Sequence, residues 1–138
     1  MPVTANSIVT PQAPKAATAV ATVANTDYDD IPANAAGALV TAGPNGARVT
    51  KLYAIPRATV TATQLQLYRS ADAGTTKRLF DSALMAAYTM AATTEAPTTD
   101  FGYSEDNPLI LVANEVVYPA IGVALAAGVV FVAEWGDY

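Results

Sequence analysis

The sequence predicts an all-β fold, a single β-sandwich or jelly-roll-like domain preceded by an extended N-terminal arm. Two observations predict it. From Ala38 onward, short apolar runs are separated by turn residues at a spacing of roughly 8–12 positions, which suits a sandwich of short strands. The runs themselves are enriched in Val, Ile, Thr and Tyr, and the last of them alternates apolar side chains on both parities. A chain of 138 residues fits one domain with a real hydrophobic core. It shows no internal repeat, and the division read from it is an arm over residues 1–37 and a sandwich over residues 38–138.

Residues 1–37 are broken by Pro2, Pro11, Pro14 and Pro32, and small residues dominate between them. Each proline removes a backbone donor and pushes its predecessor toward extended conformations. Within this stretch Ala16–Ala24 either forms one strand or runs along another subunit. The acidic Asp27-Tyr28-Asp29-Asp30 follows. Next come a strand at Ala38–Ala42, the turn Gly43-Pro44-Asn45-Gly46, and a strand from Arg48 to Ile55 with Val49, Tyr53 and Ile55 expected on one face. Thr59–Arg69 carries Leu65 and Leu67 on one parity and Val60 and Ala62 on the other, so a bulge or break is expected near Thr63. Lys77–Leu84 pairs back. Leu84–Ala92 suits a short helix or a strand, because its Ala, Leu and Met content favours helix while its neighbours are strands. Thr93–Asn107 reads as a long polar loop. The chain closes with strands at Leu109–Val112, Val116–Val123 and Val129–Trp135.

Composition excludes several functions. Seven Lys and Arg are scattered along a chain of net charge −5, only Lys77 and Arg78 being adjacent, which leaves no basic stripe for a phosphate backbone. The chain has no cysteine and no histidine. Disulfides, thiolate zinc sites and every Ser–His or Cys–His dyad are therefore absent. The uncharged run Val116–Ala133 has the minimum length for a membrane span, but Pro119, Gly122 and Gly128 interrupt it, and it reads as two buried strands. The start of the chain lacks the basic and long apolar regions of a secretory signal. Charged residues make up 14% of the chain, against a norm of about 25%. A surface so poor in charge is either rich in Thr, Ser and Asn or covered by partners.

The most specific local pattern is Ser70-Ala71-Asp72-Ala73-Gly74-Thr75-Thr76. It resembles the Asp-box, S-x-D-x-G-x-T, although Lys77 stands where that motif has its usual Trp. Its chemistry is that of a turn: Asp72 accepts backbone N–H bonds, Gly74 supplies a positive φ, and Ser70 and Thr76 frame the loop. Asp27, Asp29 and Asp30 offer oxygens, but without an EF-hand spacing they read as a solvated acidic turn. Glu105-Asp106, near Phe101 and Tyr103, reads as a polar loop and not as half of a glycosidase pair. Trp135 is expected to pack in the last strand, with an interface anchor as the alternative. Val130 and Val132, on the opposite parity, complete the candidate interface. The residues imply no catalytic group, no cofactor and no metal.

Taken whole, the chain resembles the small virion proteins that tailed bacteriophages and prophages encode among their head genes. The proline-broken arm, the Ala/Thr-rich β-domain, the hairpin Leu67-Tyr68-Arg69-Ser70-Ala71-Asp72-Ala73-Gly74 and the closing strand Val129–Tyr138 carry the resemblance. It implies a non-enzymatic capsid decoration or cement protein, made in the host cytoplasm and placed on the virion surface. Such proteins are often trimers. The partners it implies are the major capsid protein lattice and copies of the chain itself, with no nucleic acid and no membrane. The alternative is a tail, fibre or adhesin-type module that binds surface glycans.

Overall fold

Alternating side chains and turn-forming residues divide the chain into strands that close on two layers. In the computed structural model, residues 11–138 are described. Their strands are β1 (Ala13–Ala21), β2 (Val40–Thr41), β3 (Ala47–Pro56), β4 (Thr63–Ser70), β5 (Arg78–Met85), β6 (Thr99–Asp100), β7 (Leu109–Leu111), β8 (Val116–Ile121) and β9 (Val129–Asp137). One antiparallel sheet runs β1-β9-β3-β6, with β7 also paired to β3, and the other runs β2-β8-β4-β5. When β6 and β7 are taken as one interrupted strand, each sheet has four positions, and every connection except β4–β5 crosses between sheets. That is jelly-roll order, and the expected all-β sandwich is the fold.

The core lies between the sheets. Val49, Leu52 and Ala54 of β3 and Val129, Phe131 and Ala133 of β9 face Leu65 and Leu67 of β4 and Val117 and Ile121 of β8, all fully buried. Each large side chain removed from water in this way contributes about 1.5–3 kcal/mol. Gly43–Gly46 makes the expected turn, its Gly46 N–H donating to the Gly43 carbonyl at 3.1 Å. Gly46 takes φ 86° under the Leu111 carbonyl, a place with no room for a Cβ.

Several elements depart from the expected pattern for physical reasons. In β3 the register against β9 shifts between Val49 and Lys51. The extra residue, Thr50, flips the parity, so Tyr53 and Ile55 point out while Leu52 and Ala54 point in. Val49 therefore does not share a face with Tyr53 and Ile55. The break expected near Thr63 is present: β4 begins there, and Val60 makes a separate bridge to Tyr88. The Leu84–Ala92 stretch contains no helix; β5 ends at Met85, and Tyr88 exchanges backbone hydrogen bonds with Val60. Within the expected polar loop, Thr99 and Asp100 pair with Ala54 and Tyr53, and Phe101 stacks on Phe131 at 6.3 Å between ring centres. The loop is thus partly a core lid. Val116–Ala133 forms β8, a turn and the start of β9, and among the described residues no helix is long and apolar enough to cross a membrane.

The segment expected as an arm is extended, and its described part is built onto the chain's own sandwich. Of the alternatives for Ala16–Ala24, the intrachain strand is the one formed: β1 pairs with β9 over nine consecutive residues, from Ala13 opposite Asp137 to Ala21 opposite Val129. Residues 1–10 lie outside the described residues. After β1 the chain crosses the outer face of the second sheet. The Asn25 N–H donates to the Ile121 carbonyl at 2.7 Å, Lys77 N–H donates to the Asp30 carbonyl at 2.7 Å, and Ala36 and Leu39 N–H donate to Pro119 and Val117. A buried polar cluster fixes the crossing. Asn25 Nδ2 donates to Gln66 Oε1 at 2.9 Å and to the Tyr68 hydroxyl at 2.8 Å, while Gln66 Nε2 donates back to the Asn25 carbonyl at 3.0 Å. All three residues are inaccessible to solvent. Burial raises the Tyr68 hydroxyl above its ordinary pKa against the opposing hydrogen bond from Asn25, which keeps it a donor to Gln66.

Removing one member leaves the others buried without partners. Asn25→Ala is expected to lower the unfolding free energy by about 2–3 kcal/mol, read from urea denaturation. Thr26→Ala, at an exposed neighbouring position, is expected to change it by less than about 0.5 kcal/mol.

Candidate interaction surfaces

The turn motif read from the sequence closes the β4–β5 hairpin. Ser70 Oγ donates to Asp72 Oδ1 at 2.7 Å and accepts the Gly74 N–H at 2.9 Å, and Asp72 Oδ1 accepts the Thr76 N–H at 2.8 Å. Ala73 and Gly74 both take positive φ, 60° and 90°. The Tyr118 hydroxyl lies where a Cβ on Gly74 would stand, and Lys77 Nζ sits 4.4 Å from the centre of the Tyr118 ring. The backbone N–H of Thr76, followed by the Ser70 hydroxyl, holds the Asp72 carboxyl below its ordinary pKa. Ser70, Asp72, Gly74 and Thr76 are therefore brought together as one turn, and their polar atoms satisfy one another.

Beside this turn lies a pair that the sequence gives no means of finding, because its members are 46 residues apart. Arg69 donates to both oxygens of Glu115, at 2.8 and 2.6 Å, and also to the Ile110 carbonyl at 3.0 Å. The Glu115 carboxylate accepts the Val112 N–H as well. Two elements are tied here: the end of the hairpin and the β7–β8 turn. They wall a cleft of about 430 Å³ with Asp72, Arg78 and Phe80. Burial alone would raise the Glu115 pKa, but the hydrogen bonds from Arg69 and Val112 outweigh it, and the net shift is downward. A carboxyl held ionised and saturated with donors is poorly suited to general acid or base work.

Three further acidic groups are engaged as well. Asp30 pairs with Arg78 at 3.2 Å, and Asp27 Oδ1 accepts the Asp29 N–H. Asp137 accepts the Gly43 N–H and pairs with Lys15 at 3.2 Å. Among the described residues no three His, Cys, Asp or Glu side chains come together as a metal-holding group. Phe101 and Tyr103 pack against the core, and Tyr103 donates to Asp81 at 2.7 Å. The loop holding Glu105 thus presents no aromatic platform.

The remaining candidate residues divide between two faces. Trp135 turns inward with Phe131 and Ala133 and is 8% exposed. Val130 and Val132 point outward from the same strand and are half-buried. Neighbouring strands extend them into rows, since residues paired across antiparallel strands share a face. Val130 lies between Val20 and Ile55, and Val132 lies between Thr18 and Tyr53. In the next row Glu134 lies between Ala16 and Lys51. The outer face of this sheet therefore grades from apolar at Val20–Val130–Ile55 to charged at Lys51–Glu134, and no described segment crosses it. Trp135 belongs to the core and takes no part in that surface. Tyr53 and Ile55 do, and only the bulge at Thr50, invisible to strict alternation, puts them there.

The sequence matches no protein-family model and no curated protein. Surface geometry and chemistry carry the functional reading.

A depressed carboxyl pKa stabilises the folded chain above the ordinary carboxylate range, and the contribution is lost as pH falls through the folded-state value. The urea midpoint of the native chain is therefore expected to drop as pH goes below about 4.5, the ordinary value for Glu115. Glu115→Gln is expected to be less stable at neutral pH and to show a shallower acid limb, with Asp72 supplying what slope remains.

Proposed function

We propose that this chain is a non-enzymatic structural subunit that decorates or cements a virion shell, seating the outer face of the β1–β9–β3 sheet on the major capsid protein lattice and associating with copies of itself. The observation that carries the reading is that outer face. Three adjacent strands present Val20, Val130, Ile55, Val132 and Tyr53 side by side, and Val20 is 40% exposed. The corresponding face of the second sheet is covered over β4 and β8 by the chain's own crossing segment. A contiguous apolar row on an open sheet face suits a site of protein contact. The shell as the partner comes from the resemblance of the sequence to small phage virion proteins.

Two further features support the reading. Charged residues are only 14% of the chain, which suits a surface that partners cover. Asp137, Glu115 and Asp30 are engaged by Lys15, Arg69 and Arg78, which argues against an acid–base site at those carboxylates.

The test is co-sedimentation of the purified chain with heads assembled from the major capsid protein of its own genome. The expected result is saturable binding that Val130→Lys/Val132→Lys weakens at least about tenfold, a loss of about 1.4 kcal/mol or more. The circular dichroism melt of that variant should stay near that of the native chain. Absence of head binding, or retention on a glycan array in its place, would overturn the proposal.

A further inference from the structure

The four sheet edges of this sandwich are not alike. An exposed strand edge carries a row of unpaired N–H and C=O groups, and folded proteins blunt such edges with brevity, bulges, charge or cover. Three edges here are blunted. β2 is two residues long and flanked by Gly43-Pro44. β5 is bulged opposite Leu67/Tyr68, carries Arg78 and Asp81, and is met by Tyr103 through Asp81. On the fourth-strand side of the first sheet, β6 and β7 are two and three residues long and separated by a loop.

β1 has none of these devices over its middle. It runs nine residues in unbroken register with β9. Among the described residues no strand pairs with its other side. Pro14 and Lys15 guard only its first residues, and from Ala16 to Ala21 it is uncharged and free of proline. Ala16 and Thr18 are exposed. Ala33–Ala36 comes alongside Val20–Val23 and shares a small cleft with them, so the open run is Ala16–Ala19. Small side chains over that run set no steric limit on the approach of another backbone.

We infer that β1 is the edge through which two copies of this chain join, antiparallel, so that two β1-β9-β3 sheets become one continuous sheet about a twofold axis. A second copy is the occupant the edge itself specifies. In antiparallel pairing the donors and acceptors of one strand alternate along its edge, so an identical strand turned by a twofold rotation presents the matching set, and the contact closes after two copies. A foreign strand would need pockets for its alternate side chains to be selected, and the side chains around β1 are Ala and Thr. The inference deepens the structural-subunit reading by naming how copies associate. It does not depend on the shell: shell docking uses the outer face, whereas pairing uses the edge.

The chain has no cysteine, so single substitutions report the contact directly. Residues opposite each other across an antiparallel pair come about 4.5–5.5 Å apart at Cα, within disulfide reach. We expect the full chain to show twice its 14.2 kDa mass by light scattering. In the series Ala16→Cys, Ala17→Cys, Thr18→Cys and Ala19→Cys, mild oxidation should cross-link one position at least about tenfold faster than its neighbours. Leu84→Cys, on the exposed part of β5, should not cross-link. Thr18→Lys should restore the monomer mass with an unchanged melt, while Val130→Lys, which tests shell docking, should leave the dimer intact. A monomer at millimolar concentration overturns the inference. So does a dimer that survives Thr18→Lys, or cross-linking that is equal along the series or matched at Leu84.

Discussion

Three buried side chains with polar ends decide how this chain can be wound. After β1 it must leave one sheet and become β2 beside β8 in the other, and it does so by way of the outer face of β4 and β8. A crossing segment in that position buries backbone amides and carbonyls that need partners. Asn25 is placed to bond Gln66 and Tyr68, and Gln66 returns a bond to the Asn25 backbone. An apolar contact would bury area without direction, whereas this cluster accepts only one register of the segment on the sheet. Once the register is set, Asp30 reaches Lys77 and Arg78 at one end, and Ala36 and Leu39 reach β8 at the other.

That crossing makes the two sheets unequal. The second sheet is covered by the core on one face and by the segment over β4 and β8 on the other, and its hairpin end is tied down by Arg69 and Glu115. The first sheet is covered on one face only. The charges follow the same division. Arg69, Arg78 and Lys15 are paired within the domain, and exposed pairs such as Arg78–Asp30 add little stability in any case. Their effect is to leave few free charges for the outer face of β1-β9-β3, where Lys51 and Glu134 stand only at one end.

Much of this was legible in the residues. Turn clusters and alternation placed most of the strands, because Gly43–Gly46 and Ser70–Thr76 can hardly be anything but turns and the runs between them are rich in β-branched residues. The turn chemistry of Ser70, Asp72, Gly74 and Thr76 was readable because it is local. Three things were hidden, each for a non-local reason. The bulge at Thr50 exchanged the faces of Tyr53 and Ile55, and a bulge has no composition of its own. Asn25, Gln66 and Tyr68 look like ordinary surface polar residues until the crossing segment buries them. Arg69 stands on β4 and Glu115 in the turn leading into β8, strands whose adjacency only the jelly-roll order creates. The proline-rich start read as an arm because prolines and alanines disfavour an independent strand; β1 exists by virtue of nine positions of pairing with β9, a stabilisation that local propensity does not register.

The open edge and the open face are properties of the same sheet, and this has a consequence for assembly. A twofold axis normal to the sheet keeps both copies' outer faces on one side, so joining β1 to β1 sets two Val20–Val130–Ile55 rows into one broader surface. A shell partner would then meet two docking faces held in fixed relation, and engagement of the first would raise the effective concentration of the second. Each face alone can therefore be modest in area and still hold, since a rigid bivalent subunit leaves a repeating lattice only when both contacts open together. A single domain with a weak face gains from such pairing only when the surface it meets is itself repetitive. The unguarded edge at β1 and the uncovered face at β9 thus favour the same kind of partner.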